Sequence, residues 1–486
     1  MIPGSRLRVA NERPLNPDGQ FVLYWMIANR RPHDNYALQR AAEHAAEMGR
    51  PLVILEALRN RYRWASDRIH RFIIDGMRAH EQHFADRPVL YYPYVEPAIG
   101  HGAGMLEACA NRACLIVTDE YPAFFLPRMV AAAAQKVSVR MEVVDSNGLI
   151  PLSATEAEKT TAHSFRRLMQ KIIAPHLKPD QLPDPDPLNG MSLQRLGALD
   201  DAIAKRWPKT DLKTLDLSTL PIDHGVPEVP GVTGGFTAGE QIWSAFLDNR
   251  LERYNEDRNH PEKDGASGLS PYLHFGHISV HRMFRDITRH QGWSVGDLPQ
   301  KATGKRAGWW QMSEPTEAFL DELITWRELG YHFCHHRPDD YDKFDSLPAW
   351  ALKTLADHTD DDRQYTYTLQ QFEQAKTHDA LWNAAQHQLR AEGRIHNYLR
   401  MLWGKKILHW TASPRDALTI MEELNNKYGL DGRDPNSYSG IFWVLGRFDR
   451  AWGPERPIFG KVRYMTSDST RRKYRVNQYI KHHTPR

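Results

Sequence analysis

The sequence predicts an α/β domain built on a doubly wound parallel sheet, followed by a larger, mostly α-helical domain. Strand-like apolar runs alternate with helix-period segments only in the first third, and beyond about Thr237 almost every pattern is helical. Tryptophan follows the same division, with twelve of the 14 lying beyond residue 200.

Five runs read as strands: FVLYWMIA from Phe21, PLVILEAL from Pro51, PVLYYPYV from Pro88, ACLIVTDE from Ala113 and VSVRMEVVD from Val137. Between them, YALQRAAEHAAEMG and RIHRFIIDGMRAHEQHF carry the helical period. This alternation places a Rossmann-like sheet domain over residues 20–155. The Pro-rich stretches HLKPDQLPDPDPLNG and PIDHGVPEVPGVTGG make residues 156–236 an irregular connector, and residues 237–486 form the helical domain. The chain has no internal repeat and no low-complexity tract.

Composition narrows the class. At 486 residues, with 41% hydrophobic and 25% charged residues, the chain is an ordinary globular protein. The net charge is only +3, but from Ile441 onward 11 Lys/Arg face 3 Asp/Glu, a local +8 on a body of −5. That asymmetry suggests a polyanion docked on one face, a solvated surface being the plainer reading. Cys109, Cys114 and Cys334 have no metal-binding spacing, which fits a reducing compartment. With no leader-like or membrane-length apolar stretch, a soluble, cytoplasmic protein is expected.

Three local signals fail. GHGAG, residues 100–104, does not complete a dinucleotide fingerprint and reads as a helix-entry turn. Gly304-Lys305 echoes a phosphate loop, but Pro299 and Arg306 break the pattern. His332 and His336 stand four apart without a further ligand at a known spacing, so they read as structural.

In the helical half, aromatic and polar residues share faces. Glu322 and Trp326 are four apart, and Asn397, Arg400 and Trp403 form one stripe with Trp410 beyond it. One buried face would then carry an amide, a guanidinium and two indoles. A buried Arg needs a partner, and a large anionic aromatic cofactor would supply one.

These segments carry a resemblance. LSPYLHFG (269–276), ELITWRE (322–328), THDALWNAAQ (377–386), LNNKYGLDGRDPNSYSG (424–440) and DRAWG (449–453) closely resemble class II cyclobutane pyrimidine dimer photolyases, a branch of the photolyase/cryptochrome superfamily. The match spans nearly the whole chain, and LDGRDPN with Trp443 twelve residues past Asp431 is highly specific. Ile441 stands where class I relatives carry a proximal tryptophan, and no four-cysteine cluster is present.

The resemblance implies a folded FAD in the helical domain. Tyr254, Ala266, Ser267, Gly268, Leu269 and Ser270 match the segment that binds its pyrophosphate, and small residues before a helix can offer N–H groups to phosphate. Asn397, Arg400, Asp431 and Asp434 match positions lining the flavin and adenine, and Asn425 the asparagine facing flavin N5. Arg400 opposite Asp431 would favour the anionic reduced flavin. A deazaflavin is the antenna chromophore the resemblance favours for the N-terminal domain, although no short motif reports it.

The same resemblance implies a lesion pocket. Trp326 and Trp443 match two indoles that cradle a flipped-out dimer, while Arg258, Asn259 and Met401 match positions near it, with Arg450 also expected at the DNA. Glu322 matches a carboxyl group that hydrogen-bonds the damaged base, and burial would keep it protonated. Trp403, Trp382 and Trp410 match tryptophans that re-reduce the flavin. The implied reaction is light-driven electron transfer from reduced FAD to a dimer in double- or single-stranded DNA, performed by a monomer. A cryptochrome-like photoreceptor is the main alternative; it would lose the lesion residues and add a long tail. Repair of (6-4) photoproducts would need a pair of active-site histidines, which has no match here, and a flavoprotein without DNA leaves the basic C-terminal region unexplained.

Overall fold

The computed structural model describes residues 1–485 and divides them into two compact units. The first comprises Met1–Ala154, Ile173–Ser244 and Leu269–Val295. The second comprises Thr155–Ile172, Ala245–Gly268 and Gly296–Arg486. This division cuts across the boundaries expected from sequence. The expected connector is shared out, and residues 269–295 return to the first unit. Nor is the connector wholly irregular, since Ala162–His176 and Asp201–Arg206 are helices.

The first unit holds a six-stranded sheet: β1 (Leu7–Val9), β2 (Phe21–Trp25), β3 (Leu52–Leu58), β4 (Val89–Val95), β5 (Ala113–Asp119) and β6 (Met141–Val144). Its order is β1-β6-β5-β2-β3-β4. Every pairing is parallel except β1 with β6. β2 and β5 are wholly buried, which is why they read as continuous apolar runs instead of alternating ones. The chain reverses its winding between β2 and β5. There Asp119 accepts the N–H groups of Ile27 and Ala28 at 2.8 Å and of Asn29 at 3.1 Å, and the Tyr24 hydroxyl at 2.8 Å. Asn35 then caps the helix Tyr36–Met48 by accepting from Ala37 and Leu38. The carboxylates Glu56 and Glu142 are buried in the sheet and paired, Glu56 with His80 at 2.8 Å and Glu142 with Arg40 at 2.8 Å.

GHGAG is a helix-entry turn, with Gly100 and Gly104 at φ of 85° and 84° before the helix Met105–Ala110. The Glu96 carboxylate already accepts the Gly100 and Gly102 N–H groups, at 2.9 and 3.0 Å. All three cysteines are free and buried.

The second unit is built from helices, among them Arg327–His336, Ala380–Glu392, Asn397–His409, Pro414–Tyr428 and Pro435–Val444. Asp379, Ser413 and Asp434 cap three of them through side-chain oxygens. His332 and His336 converge on the Thr155 hydroxyl, at 2.8 and 2.7 Å. Burial pushes His332 down to about 3, so it is neutral and structural. Among the described residues no helix is long and apolar enough to cross a membrane.

Candidate active site

The LDGRDPN segment folds as a tight turn against the helix Pro414–Tyr428. A Cβ on Gly432 would lie 2.6 Å from the Asn425 carbonyl oxygen, so only glycine allows this approach. Asn426 accepts the Arg433 N–H at 2.8 Å and holds the turn in place. The turn aims Asp431 at Arg400, one helix away, and the two form a bidentate pair at 2.8 and 3.0 Å. Burial works against the Arg400 charge, but the Asp431 carboxylate outweighs it and raises the guanidinium above its usual range. Arg400 Nε is buried without a hydrogen-bond partner. Beside this pair Asn425 is buried, its amide donating to Ser437 Oγ at 2.6 Å and to Asn426 Oδ1 at 3.1 Å. A half-buried cation whose Nε is buried with no hydrogen-bond partner, next to an amide, fits a polar, electron-rich ring system of the flavin kind.

One expectation needs correction: Asn397 does not lie on a buried face but is exposed, in the first turn of its helix. Asp434 accepts the Asn436 N–H at 2.8 Å and the Tyr331 hydroxyl at 3.1 Å. In the 266–270 segment, Gly268 adopts φ of 75°, and a Cβ on Gly265 would lie 2.5 Å from the Asp257 backbone. The helix that begins at Ser270 ends at His274, so phosphate binding here would depend on loop N–H groups rather than on a helix dipole. By contacts Ala266, Ser267 and Gly268 fall in the second unit, and Leu269 and Ser270 in the first.

Glu322 and Trp326 lie on a π-helical turn, Asp321–Trp326, in which the Arg327 N–H reaches the Glu322 carbonyl five residues back. Such turns are rare and concentrate at functional sites. Asp321 anchors the turn through a buried bidentate pair with Arg166, at 2.7 and 3.1 Å. Arg258 donates to Glu322 Oε1 at 2.5 Å, a pairing the sequence did not announce. Accessibility and hydration diverge at Glu322: 31% of the side chain is accessible, yet protein crowds the carboxyl closely. Burial therefore raises its pKa, Arg258 pulling the other way without cancelling it. Tyr254 lies beneath, its ring edge-on to Phe246 and Phe319 and 5.5 Å from the Arg258 guanidinium.

Trp443 lies on the helix Pro435–Val444, which meets the helix after Trp326 backbone to backbone. A Cβ on Gly330 would stand 2.7 Å from the Pro435 carbonyl oxygen. Sequence reasoning missed this glycine, although a glycine inside a helix was the available signal. It also missed Lys405, which is fully buried, donates to the Val444 carbonyl at 2.6 Å and places Nζ 4.8 Å from the Trp443 ring centre. Burial brings Lys405 down to about 7. Arg463 approaches the same indole at 5.6 Å while pairing with Asp449 at 2.7 Å. Arg450 is exposed on the face of Trp452, and Asn259 and Met401 are half-buried.

The three remaining tryptophans form a contiguous set. Trp382 stacks on Trp403 with ring centres 6.4 Å apart and planes within 5°. Trp410 lies 6.2 Å from Trp382. Trp382 Nε1 donates to the Trp403 carbonyl at 3.0 Å, and Trp403 Nε1 to Gln386 at 2.9 Å, which fixes both rings.

No protein-family model matches the chain. It is similar to the deoxyribodipyrimidine photo-lyase of Methanothermobacter thermautotrophicus, 34% identical over 482 residues that span 99% of this chain and 98% of the relative. The enzymes of the same name from Oryza sativa and Arabidopsis thaliana are 33% and 32% identical, covering 98% and 99% of this chain and 90% and 92% of theirs. In fold it matches the crystal structure of a class III photolyase from Agrobacterium tumefaciens, with a TM-score of 0.69 at 17% identity over 96% of this chain and 86% of that one. A chain that matches such relatives from end to end, and shares the photolyase fold, belongs to the deoxyribodipyrimidine photo-lyase family.

Proposed function

We propose that this protein is a class II photolyase that binds DNA as a monomer and uses light to repair cyclobutane pyrimidine dimers. The observation that carries the reading is the Arg258–Glu322 pair at 2.5 Å on the π-turn that ends in Trp326. A carboxyl group with a raised pKa beside a cation and an indole suits a neutral, polar, planar lesion with carbonyl oxygens to satisfy.

Duplex binding begins with phosphate contacts to the basic C-terminal region. Turning the dimer out of the stack costs a few kcal/mol, least where pairing is already damaged. Stacking on Trp326 and Trp443, about 1–3 kcal/mol per base, offsets that cost. Lys405 and Arg463 hold the Trp443 indole in place from its surroundings. Glu322, protonated, would donate a hydrogen bond to a lesion carbonyl, with Arg258 turning from the carboxyl group toward the lesion.

Reduced FAD, when bound, supplies the photoexcited electron that opens the ring and recovers it afterwards. Arg400, its buried Nε free to donate, and the Asn425 amide would hold the flavin edge, and Asp431 would fix Arg400. Ile441 at the class I tryptophan position, together with the Trp403–Trp382–Trp410 set, supports the class II assignment. That set would pass electrons inward during reductive activation. A deazaflavin would serve as antenna in the first unit.

The test is a dimer-containing duplex irradiated with blue light, with a (6-4) duplex and a dark sample as controls. Light-dependent loss of the cyclobutane lesion alone is expected. No such loss with reduced FAD present would refute repair and favour a photoreceptor.

A further inference from the structure

A loop that the function described so far does not use runs along residues 301–306. Lys301, Lys305 and Arg306 are all exposed, and no hydrogen bond holds any of their side chains. The backbone of residues 303–305 is held in place. Gln170 Oε1 accepts the N–H groups of Thr303 at 3.0 Å and Gly304 at 2.7 Å, and Gln170 Nε2 donates to the Lys305 carbonyl at 3.0 Å. Arg166 Nη1 adds a bond to the Gly304 carbonyl at 3.4 Å. Gly304 adopts φ of 73°, and a Cβ there would lie 2.7 Å from the His163 ring. Lys305 and Arg306 are thus presented at the end of a held backbone segment, which lowers the entropy lost when they engage a ligand.

The platform adjoins the pocket. Arg166, which grips the loop, also makes the bidentate pair with Asp321, the residue before Glu322. Arg306 is 61% exposed and approaches Asp321 only to 3.8 Å, since Arg166 already occupies that carboxylate. Its charge is close enough to act on Glu322. A strand that delivers a nucleotide to Glu322 would carry its flanking phosphates past this rim, where Lys305 and Arg306 are exposed and Arg306 makes only a long pairing with Asp321.

We propose that residues 301–306 form a second DNA-backbone contact, in which Lys305 and Arg306 hold phosphates flanking the extruded nucleotide. This rests on the repair reading above and assigns that site an additional strand grip. The occupant is a phosphodiester backbone, because the contact offers cations and no aromatic or base-reading group.

The experiment compares the full-length protein with the double variant Lys305→Ala/Arg306→Ala and with the charge-conserving Lys305→Arg/Arg306→Lys. Binding of a dimer-containing and an undamaged duplex is measured across a salt series. The alanine variant should lower the slope of log K against log [salt] by about 2 for both duplexes, while the charge-conserving variant keeps the parental slope. An alanine variant that melts with the parent and keeps its full slope overturns the proposal but leaves the repair reading intact. A parent with no salt-dependent binding to either duplex overturns both.

Discussion

At Glu322 two influences compete, and their balance sets a pH response. Burial raises the carboxyl's pKa and Arg258 opposes it, with burial prevailing. The folded state therefore holds this proton more tightly than the unfolded chain, so ionising it as pH rises costs stability. Function should move the same way. Repair yield per absorbed photon should fall as pH rises through the Glu322 pKa, because the ionised group cannot donate to a lesion carbonyl. Glu322→Gln keeps a donor at every pH and should flatten that profile, measured as dimers split per photon over a pH series. A profile equally steep in the Gln variant would move the titrating group elsewhere. Trp403 permits a second test. Trp403→Phe should block photoreduction of oxidised flavin yet spare repair when the flavin is chemically reduced beforehand, since the stacked Trp403–Trp382 pair would feed electrons to the cofactor and take no part in splitting the dimer. Equal loss of both activities would make Trp403 a packing residue.

Between elements, the helix crossing at Gly330 decides how Trp326 and Trp443 are spaced. In an isolated helix Gly→Ala would gain about 1 kcal/mol. Here the added methyl meets backbone on the neighbouring helix at 2.7–2.9 Å, which cannot swing aside. Overpacking of this kind costs about 1–3 kcal/mol, so Gly330→Ala should lower the melting temperature and weaken binding of damaged DNA. A melting temperature at or above that of the parent would show that the helices part easily. This crossing also marks how far the sequence could be read. The central strands were legible because burial on both faces leaves an unbroken apolar run. β1 was not, since Leu-Arg-Val is a short, polar edge segment that only its pairing with β6 defines. The π-turn is invisible to a periodicity argument, because six residues complete too little of any period. The motif singled out Glu322, Trp326, Arg400 and Asp431 as candidates, but it did not reveal that Arg258 pairs with Glu322 or that Lys405 lies against Trp443. Those contacts join segments far apart in sequence, and packing alone creates them.

For the molecule as a whole, affinity and discrimination should separate. The C-terminal stretch carries +8 against a body of −5, so attraction to any duplex should arise mainly there and fall as counterions compete. Preference for the lesion arises instead from indoles and a carboxyl group, whose contacts salt barely screens. Damaged and undamaged duplexes should therefore both bind more weakly as salt rises, while the ratio of their affinities stays nearly constant. Arg472→Ala, an exposed residue of the helix Ser467–Lys473, should reduce the salt slope by about one for both duplexes and leave the ratio alone. Trp443→Ala should do the reverse, keeping the slope and losing about 1–3 kcal/mol of stacking, a fall of about 5- to 150-fold in the ratio. Fluorescence anisotropy with both duplexes over a salt series measures slope and ratio together. A ratio that collapses with salt in the parent, or survives intact in Trp443→Ala, would mean that backbone charge and not stacking selects the lesion.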